Sequence, residues 1–254
     1  MLAIQAGAPS QAAARLHRLL PDLATMRIDS GDLRIKASGG KVLLRLTNRI
    51  ANKGQGPLEI YPSASSHGCD QDGNPDNDRD ALQRVFLDAN GDRVFERDAD
   101  TRSEHFRFGC KRYDPRAGHW NVFDLARYEL RRLRTKKTVA SASKVAYCTV
   151  DSDPVFPNLP GSPGRDYYPR GGCDEGSTLG ISIGWADEYY YGLPGQELDV
   201  SGVKAGRYCL VSTGDPDNLL RESDDSNNKR KTRIALRPGE RVVRTLPGRC
   251  QIGG

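Results

Sequence analysis

Two acidic runs hold the densest set of side chains in this 254-residue chain that could do chemistry. Asp70, Asp72, Asn74, Asp76 and Asp78 place a side-chain oxygen at every second position, and Asp88, Asn90 and Asp92 repeat the pattern ahead of Glu96, Asp98 and Asp100. Calcium takes six to eight hard oxygens from flexible loops, and Asp or Asn at positions 1, 3 and 5 with a bending glycine supplies them. Neither run completes an EF-hand. The glycine falls at position 4 rather than 6, and position 12 is Ala81 or Ala99 in place of glutamate. So many like charges within a few residues repel one another without a cation, so 70–100 is read as a calcium-type insertion. The plainer reading is an acidic surface loop braced by Asx turns.

The charge is unevenly spread. Residues 70–100 carry −6, which leaves +11 on the rest of a chain whose net charge is +5. Arg127–Lys137 gathers six cations, including Arg131, Arg132, Arg134, Lys136 and Lys137, around one acid, Glu129. Such a cluster attracts nucleic acid or acidic polymers. It lacks the interleaved aromatics of a single-strand binder, so a solvated strand and loop is the expectation and nucleic acid is not an expected partner.

Six cysteines (Cys69, Cys110, Cys148, Cys173, Cys209, Cys250) form no CxxC pair, which argues against zinc and thioredoxin-like chemistry. An even count at wide spacing favours disulfides and an oxidising, extracytoplasmic compartment. Of the 15 possible pairings, the sequential one is expected: 69 with 110, 148 with 173 and 209 with 250. Met1–Ala14 has no basic n-region and Pro9 interrupts its short apolar run, so no clear signal peptide is read there.

These groups must be positioned by strands. Mean hydropathy is −0.64, glycine and proline are plentiful, and no apolar run is long enough to span a bilayer. Strand signals fall at 33–36, 41–48, 58–61, 120–133, 145–150, 181–183, 197–200, 207–211 and 230–236, with a tight turn at 52–57 and a long Pro/Gly-rich loop over 151–180. The expected architecture is all-β, a β-sandwich with long loops and the acidic insertion. Residues 1–20 are read as a flexible leader in which Ala12–Leu20 could make two helical turns, and 21–254 as one domain.

From Leu20 to about Leu236 the chain resembles the lysyl oxidase catalytic domain, especially its bacterial relatives. Lys41–Gly54 resembles the family's "VLLRF…R-x-x-N-x-G" strand. Gly118–Leu130 is similar to its histidine-rich copper strand, and Lys144–Cys148 to its "K-A-S-F-C" segment. Gly184–Tyr189 with Gly195–Val200 is similar to the stretch that holds its cofactor tyrosine. Val203–Leu210 and Arg221–Asn228 resemble its closing "V-K-P-G-x-Y…E-S-x-x-x-N-N". The resemblance implies oxidation of lysine ε-amines to aldehydes, with protein lysines or other amines as substrates. It also implies copper and a lysine tyrosylquinone built from Lys144 and Tyr189.

The copper strand departs from that pattern. The family sets histidines at i, i+2 and i+4 so that alternation points all three to one face. In this sequence those positions read Ala117, His119 and Asn121, and a further position that often carries histidine is Asp114. Imidazole suits Cu(II), alanine offers no donor, and an asparagine amide is a poor replacement. His119 is then a remnant copper ligand and Asn121 a weak one. Of the other histidines (His17, His67, His105), His67 or His105 would have to fold back to complete a site. The expectation is a lysyl oxidase-family domain with impaired or absent activity. If active, it is a copper-dependent amine oxidase of protein-lysine 6-oxidase type. The alternative is a non-catalytic, calcium-stabilised, extracytoplasmic binding or structural module.

Overall fold

The computed structural model describes residues 16–66, 69, 78–115, 118–144 and 147–250, with the side chains of Pro62, Ser143 and Lys144 left out. The first strands are β1 (Arg18–Leu19), β2 (Leu23–Thr25), β3 (Leu33–Ser38), β4 (Lys41–Leu46), β5 (Asn48–Asn52) and β6 (Leu58–Pro62). The middle of the chain forms β7 (Asp78–Leu87), β8 (Ser103–Asp114), β9 (His119–Val122), β10 (Ala126–Arg132) and β11 (Thr138–Lys144). The last third forms β12 (Leu179–Ile181), β13 (Ala186–Tyr189), β14 (Glu197–Asp199), β15 (Gly206–Gly214), β16 (Lys229–Arg237) and β17 (Val242–Thr245).

All pairings are antiparallel. One sheet runs β12-β6-β7-β8-β9, with β1 also on β7, and a second runs β11-β10-β15-β16-β17. Two three-stranded sheets, β13-β5-β2 and β14-β4-β3, lie among them. Inward positions such as Leu44, Leu46, Leu58, Ile60, Leu130, Leu210 and Ile234 meet in one shared core, the layered all-β arrangement expected from the sequence. Among the described residues, helical content is confined to single 3-10 turns, and no helix is long and apolar enough to cross a membrane.

The structure differs from expectation at several places, and the run expected over 120–133 is broken into β9 and β10. Leu19, expected in a leader, is fully buried and pairs with Phe86; residues 1–15 lie outside the described set. The stretch read as an insertion contains β7, central to its sheet. Its inward Asp78 and Asp80 are neutralised across the ladder by Arg112 (2.6 Å) and Arg107 (2.9 Å). Of the strand expected over 145–150, residues 145 and 146 lie outside the described set, and Tyr147 forms a bridge with Val122.

The motif residues of 41–54 serve the fold. Buried Asn52 uses its whole amide. Its Oδ1 accepts from Asp22 N and Gly54 N, and its Nδ2 donates to the carbonyls of Gly56 and Ile181. Gly56 lets the turn lie against the Leu19 backbone, where any Cβ would collide. The three disulfides are Cys69–Cys110, Cys148–Cys173 and Cys209–Cys250, with Cα separations of 5.5, 5.8 and 5.7 Å, the expected pairing.

Candidate active site

Tyr189 ends β13 opposite Asn48 of β5. It is 9% exposed, its hydroxyl donates to the Cys148 carbonyl at 2.9 Å, and its ring meets Tyr147 edge-on with centroids 4.4 Å apart. Tyr147 and Tyr128 share a hydrogen bond between their hydroxyls at 3.1 Å, and Tyr128 also donates to Gln196 Oε1 at 2.9 Å. Burial pushes all three phenols up, and the Asp187 carboxylate adds to this. They are held as neutral phenols, the form from which loss of an electron is hardest.

Lys144 ends β11, its backbone opposite Ala126 of β10, three residues ahead of Tyr147. The copper-strand counterpart, β9, reaches the same segment. Val122 and Tyr147 exchange backbone hydrogen bonds of 2.7 and 2.8 Å, and Trp120 N–H donates to the Cys173 carbonyl at 2.7 Å. The Cys148–Cys173 disulfide fastens these two contacts to each other. The topology therefore gathers Tyr189, the backbone of Lys144, and the strand bearing His119 and Asn121 around residues 147–148. Sequence reading missed Tyr128, Tyr147 and Arg112; Tyr147 stood inside the 144–148 segment, but nothing marked its ring as the neighbour of Tyr189.

Copper does not fit the described donor set. Residues directly opposite on antiparallel strands share a face, so Asp114 stands across from His119 and Arg112 across from Asn121. The Arg112 guanidinium is fixed there by two bonds to fully buried Asp78, at 2.6 and 3.0 Å. Asn121 is 3% exposed and spends its Nδ2 on the His119 carbonyl at 3.4 Å. One imidazole and one amide, faced by Asp114 and by an arginine already committed to Asp78, do not supply the nitrogen donors that Cu(II) prefers. Ala117 and His67 lie outside the described residues. His105 does not complete the set: it sits on β8 opposite Arg84, edge-on to Tyr61. His17 is bound to Gln55.

The calcium expectation divides in the same way. Asp70, Asp72, Asn74 and Asp76 lie outside the described residues, and Asp78 is the Arg112 partner. In the second run the oxygens turn toward the loop's own N–H groups. Asp88 accepts from Gly91 N (2.7 Å) and Arg93 N (3.0 Å), Asp92 from Val94 N, and Asp100 from Ala89 N and Glu96 N. Asn90 donates to Asp92. This is the Asx-turn alternative, in which backbone dipoles satisfy the carboxylates without a cation. Among the described residues no three His, Cys, Asp or Glu side chains are grouped to hold a metal.

The antiparallel β fold brings a buried tyrosine, a strand end bearing a lysine and a strand bearing a histidine to the segment that one disulfide fastens. The lysyl oxidase family profile matches residues 99–245, more than half of the chain, and the chain belongs to that family. It is 32% identical over 111 residues to the protein-lysine 6-oxidase of Sus scrofa, covering 43% of this chain and 41% of that protein. Against the Homo sapiens protein-lysine 6-oxidase the identity is 31% over 111 residues, covering 24% of that protein. Against Mus musculus lysyl oxidase homolog 4 it is 27% over 152 residues, 55% of this chain and 19% of the relative. The matched stretch thus spans less than half the length of these relatives.

The closing family-like segment, Arg221–Asn228, is structural. Glu222 accepts from Leu23 N (2.6 Å) and Asn228 Nδ2 (2.8 Å), bracing β2 against β16. Burial, with Asp215 and Asp225 nearby, raises its carboxyl from 4.5 to about 8. Between those values the folded chain keeps a proton that the unfolded chain has released. The contribution of Glu222 to stability is therefore full below pH 4.5 and lost as pH rises through about 8. Glu222→Gln removes this titration, and Asn228 can accept from the new amide by turning its own, whose Oδ1 has no partner now. A Tm series from pH 5 to pH 9 is expected to fall less steeply for the variant than for the native chain. Parallel curves would contradict the assignment.

Proposed function

We propose that this chain is a lysyl oxidase-fold domain in which copper-dependent oxidation of lysine ε-amines is impaired, and that it acts as an extracytoplasmic binding or structural module. One observation carries the reading: β9 holds a single imidazole, His119, and position 121 offers only an amide, faced by an arginine already committed to Asp78. Lys144 and Tyr189 are kept as the quinone-position residues, His119 as a remnant ligand and Asn121 as its substitute. Three disulfides support an oxidising compartment. The domain is taken as 21–254, extended by β1.

Protein-lysine 6-oxidase names protein lysine as the substrate of the relatives, so lysine-rich proteins and alkylamines are the donors to try. Native protein produced in copper-supplemented medium is expected to release no peroxide from either donor above a Tyr189→Phe control. Release dependent on Tyr189 would overturn the reading.

A further inference from the structure

The outward face of the β11-β10-β15-β16-β17 sheet carries a groove unrelated to the tyrosine cluster. On β16, Thr232, Ile234 and Leu236 point into the core, so Lys229, Lys231 and Arg233 form an outward column with a repeat of about 6.8 Å. The segment after β17 folds back along this column. Leu246 N–H donates to the Arg233 carbonyl at 2.7 Å, and Cys250 is bonded to Cys209 of β15. Between them lies a groove of about 620 Å³, with Arg27 and Arg249 also at its walls and no acidic residue in its lining.

The column is left uncompensated. Among the described residues, Lys229, Lys231, Arg233 and Arg249 have no carboxylate within ion-pair distance. Glu129, which faces Lys229, is already bound by Arg131 and Thr138. Arg233 is the most telling member. Its Nη1 is held by the Pro247 carbonyl at 3.4 Å, while its Nε is buried without a partner. With no carboxylate beside it, the guanidinium keeps its charge available to an anion in the groove. Beyond Arg233 the cationic surface continues into a second depression of about 600 Å³ that includes Arg132 and Arg207.

We infer that this groove binds a linear anionic polysaccharide, its sulfate or carboxylate groups spaced along the Lys229-Lys231-Arg233 column. Bidentate guanidinium contacts and point-charge ammonium contacts both suit such groups. No aromatic side chain lines the first groove, and Tyr208 in the second is 6% exposed with its hydroxyl on the Lys204 carbonyl. The site therefore has no platform for stacking bases, which a nucleic-acid strand would use. The disulfide that closes the groove wall belongs to the oxidising compartments where such polysaccharides occur.

The test uses the whole chain and a fluorescent heparin dodecasaccharide in a polarisation titration, with a DNA duplex of matched charge as competitor. The triple variant Lys229→Ser, Lys231→Ser, Arg233→Ser is compared with a charge-matched control, Lys36→Ser, Arg102→Ser, Arg165→Ser, both checked for an intact Cys209–Cys250 bond and native Tm. The groove variant is expected to bind heparin about tenfold or more weakly, the control within about twofold, and native binding to fall steeply with salt. The DNA is expected to compete poorly. Equal losses in both variants, no loss in the groove variant, or DNA competing as well as heparin would overturn the inference.

Discussion

Installing histidine at both 117 and 121 is expected to raise the affinity of this chain for Cu(II) by about two orders of magnitude. Ala117, His119 and Asn121 are spaced two apart in the sequence, so the substitution supplies three imidazoles within five residues, the donor type that a tetragonal nitrogen-ligated copper prefers. Arg112, paired with Asp78, stays across from position 121 and takes up space beside the new imidazole. Arg112 is no target for removal, because Asp78, fully buried, would be left an unpaired charge. Isothermal titration of both proteins with Cu(II) reads the difference. A double variant that binds no better than the native chain would show that more than the missing imidazoles bars the metal.

The largest expected loss of stability lies at Asp151. Its carboxylate is 3% exposed and accepts four hydrogen bonds: Ser182 N and Oγ at 2.7 Å each, Tyr167 N at 2.8 Å and Tyr168 N at 3.1 Å. It fastens the long 151–178 loop, which carries Cys173, to β12 and the segment after it. Tyr168 is tied a second time by its hydroxyl to buried Glu59, itself paired with Arg84 and Arg97. Asp151→Ala strands buried donors, each costing about 1–3 kcal/mol. A total of about 4 kcal/mol corresponds to a Tm lower by roughly 8–16 °C for a chain of this size. Asp151→Asn, which keeps one acceptor oxygen, is expected to lose about half as much. A Tm for Asp151→Ala within about 2 °C of native would mean that the loop is held by other contacts.

Much of the fold was legible because hydrophobic alternation survives in the strands that build the core. β3, β4, β6, β15 and β16 fall where apolar residues recur at every second position, and glycine turns mark their ends. The sequential disulfides were legible as well. β7 and β8 were not, because inward positions such as Asp78 and Asp80 read as solvent-facing acid until their arginine partners across the ladder are known. Local sequence does not reveal register, and the neutralisation depends on register. β1 was hidden for a related reason: a two-residue strand has no period to detect, and Leu19 earns its burial from β7.

The site divides along the same line. The absence of imidazoles at 117 and 121 is legible from spacing alone, because it concerns residues close together in the sequence. The opposing Arg112 comes from a neighbouring strand and became visible only through pairing. The same holds for the Tyr128–Tyr147–Tyr189 cluster, which draws on three separate segments. In the second acidic run, Asp88 and Asp100 accept from backbone N–H groups that composition does not count.

The most direct measurement is made on native protein produced with copper present, by elemental analysis together with the intact mass and the mass of the peptides containing Lys144 and Tyr189. The expected result is copper far below one per chain and two separate, unmodified peptides. One tightly held copper per chain, with Lys144 and Tyr189 recovered as a single crosslinked species, would contradict the account.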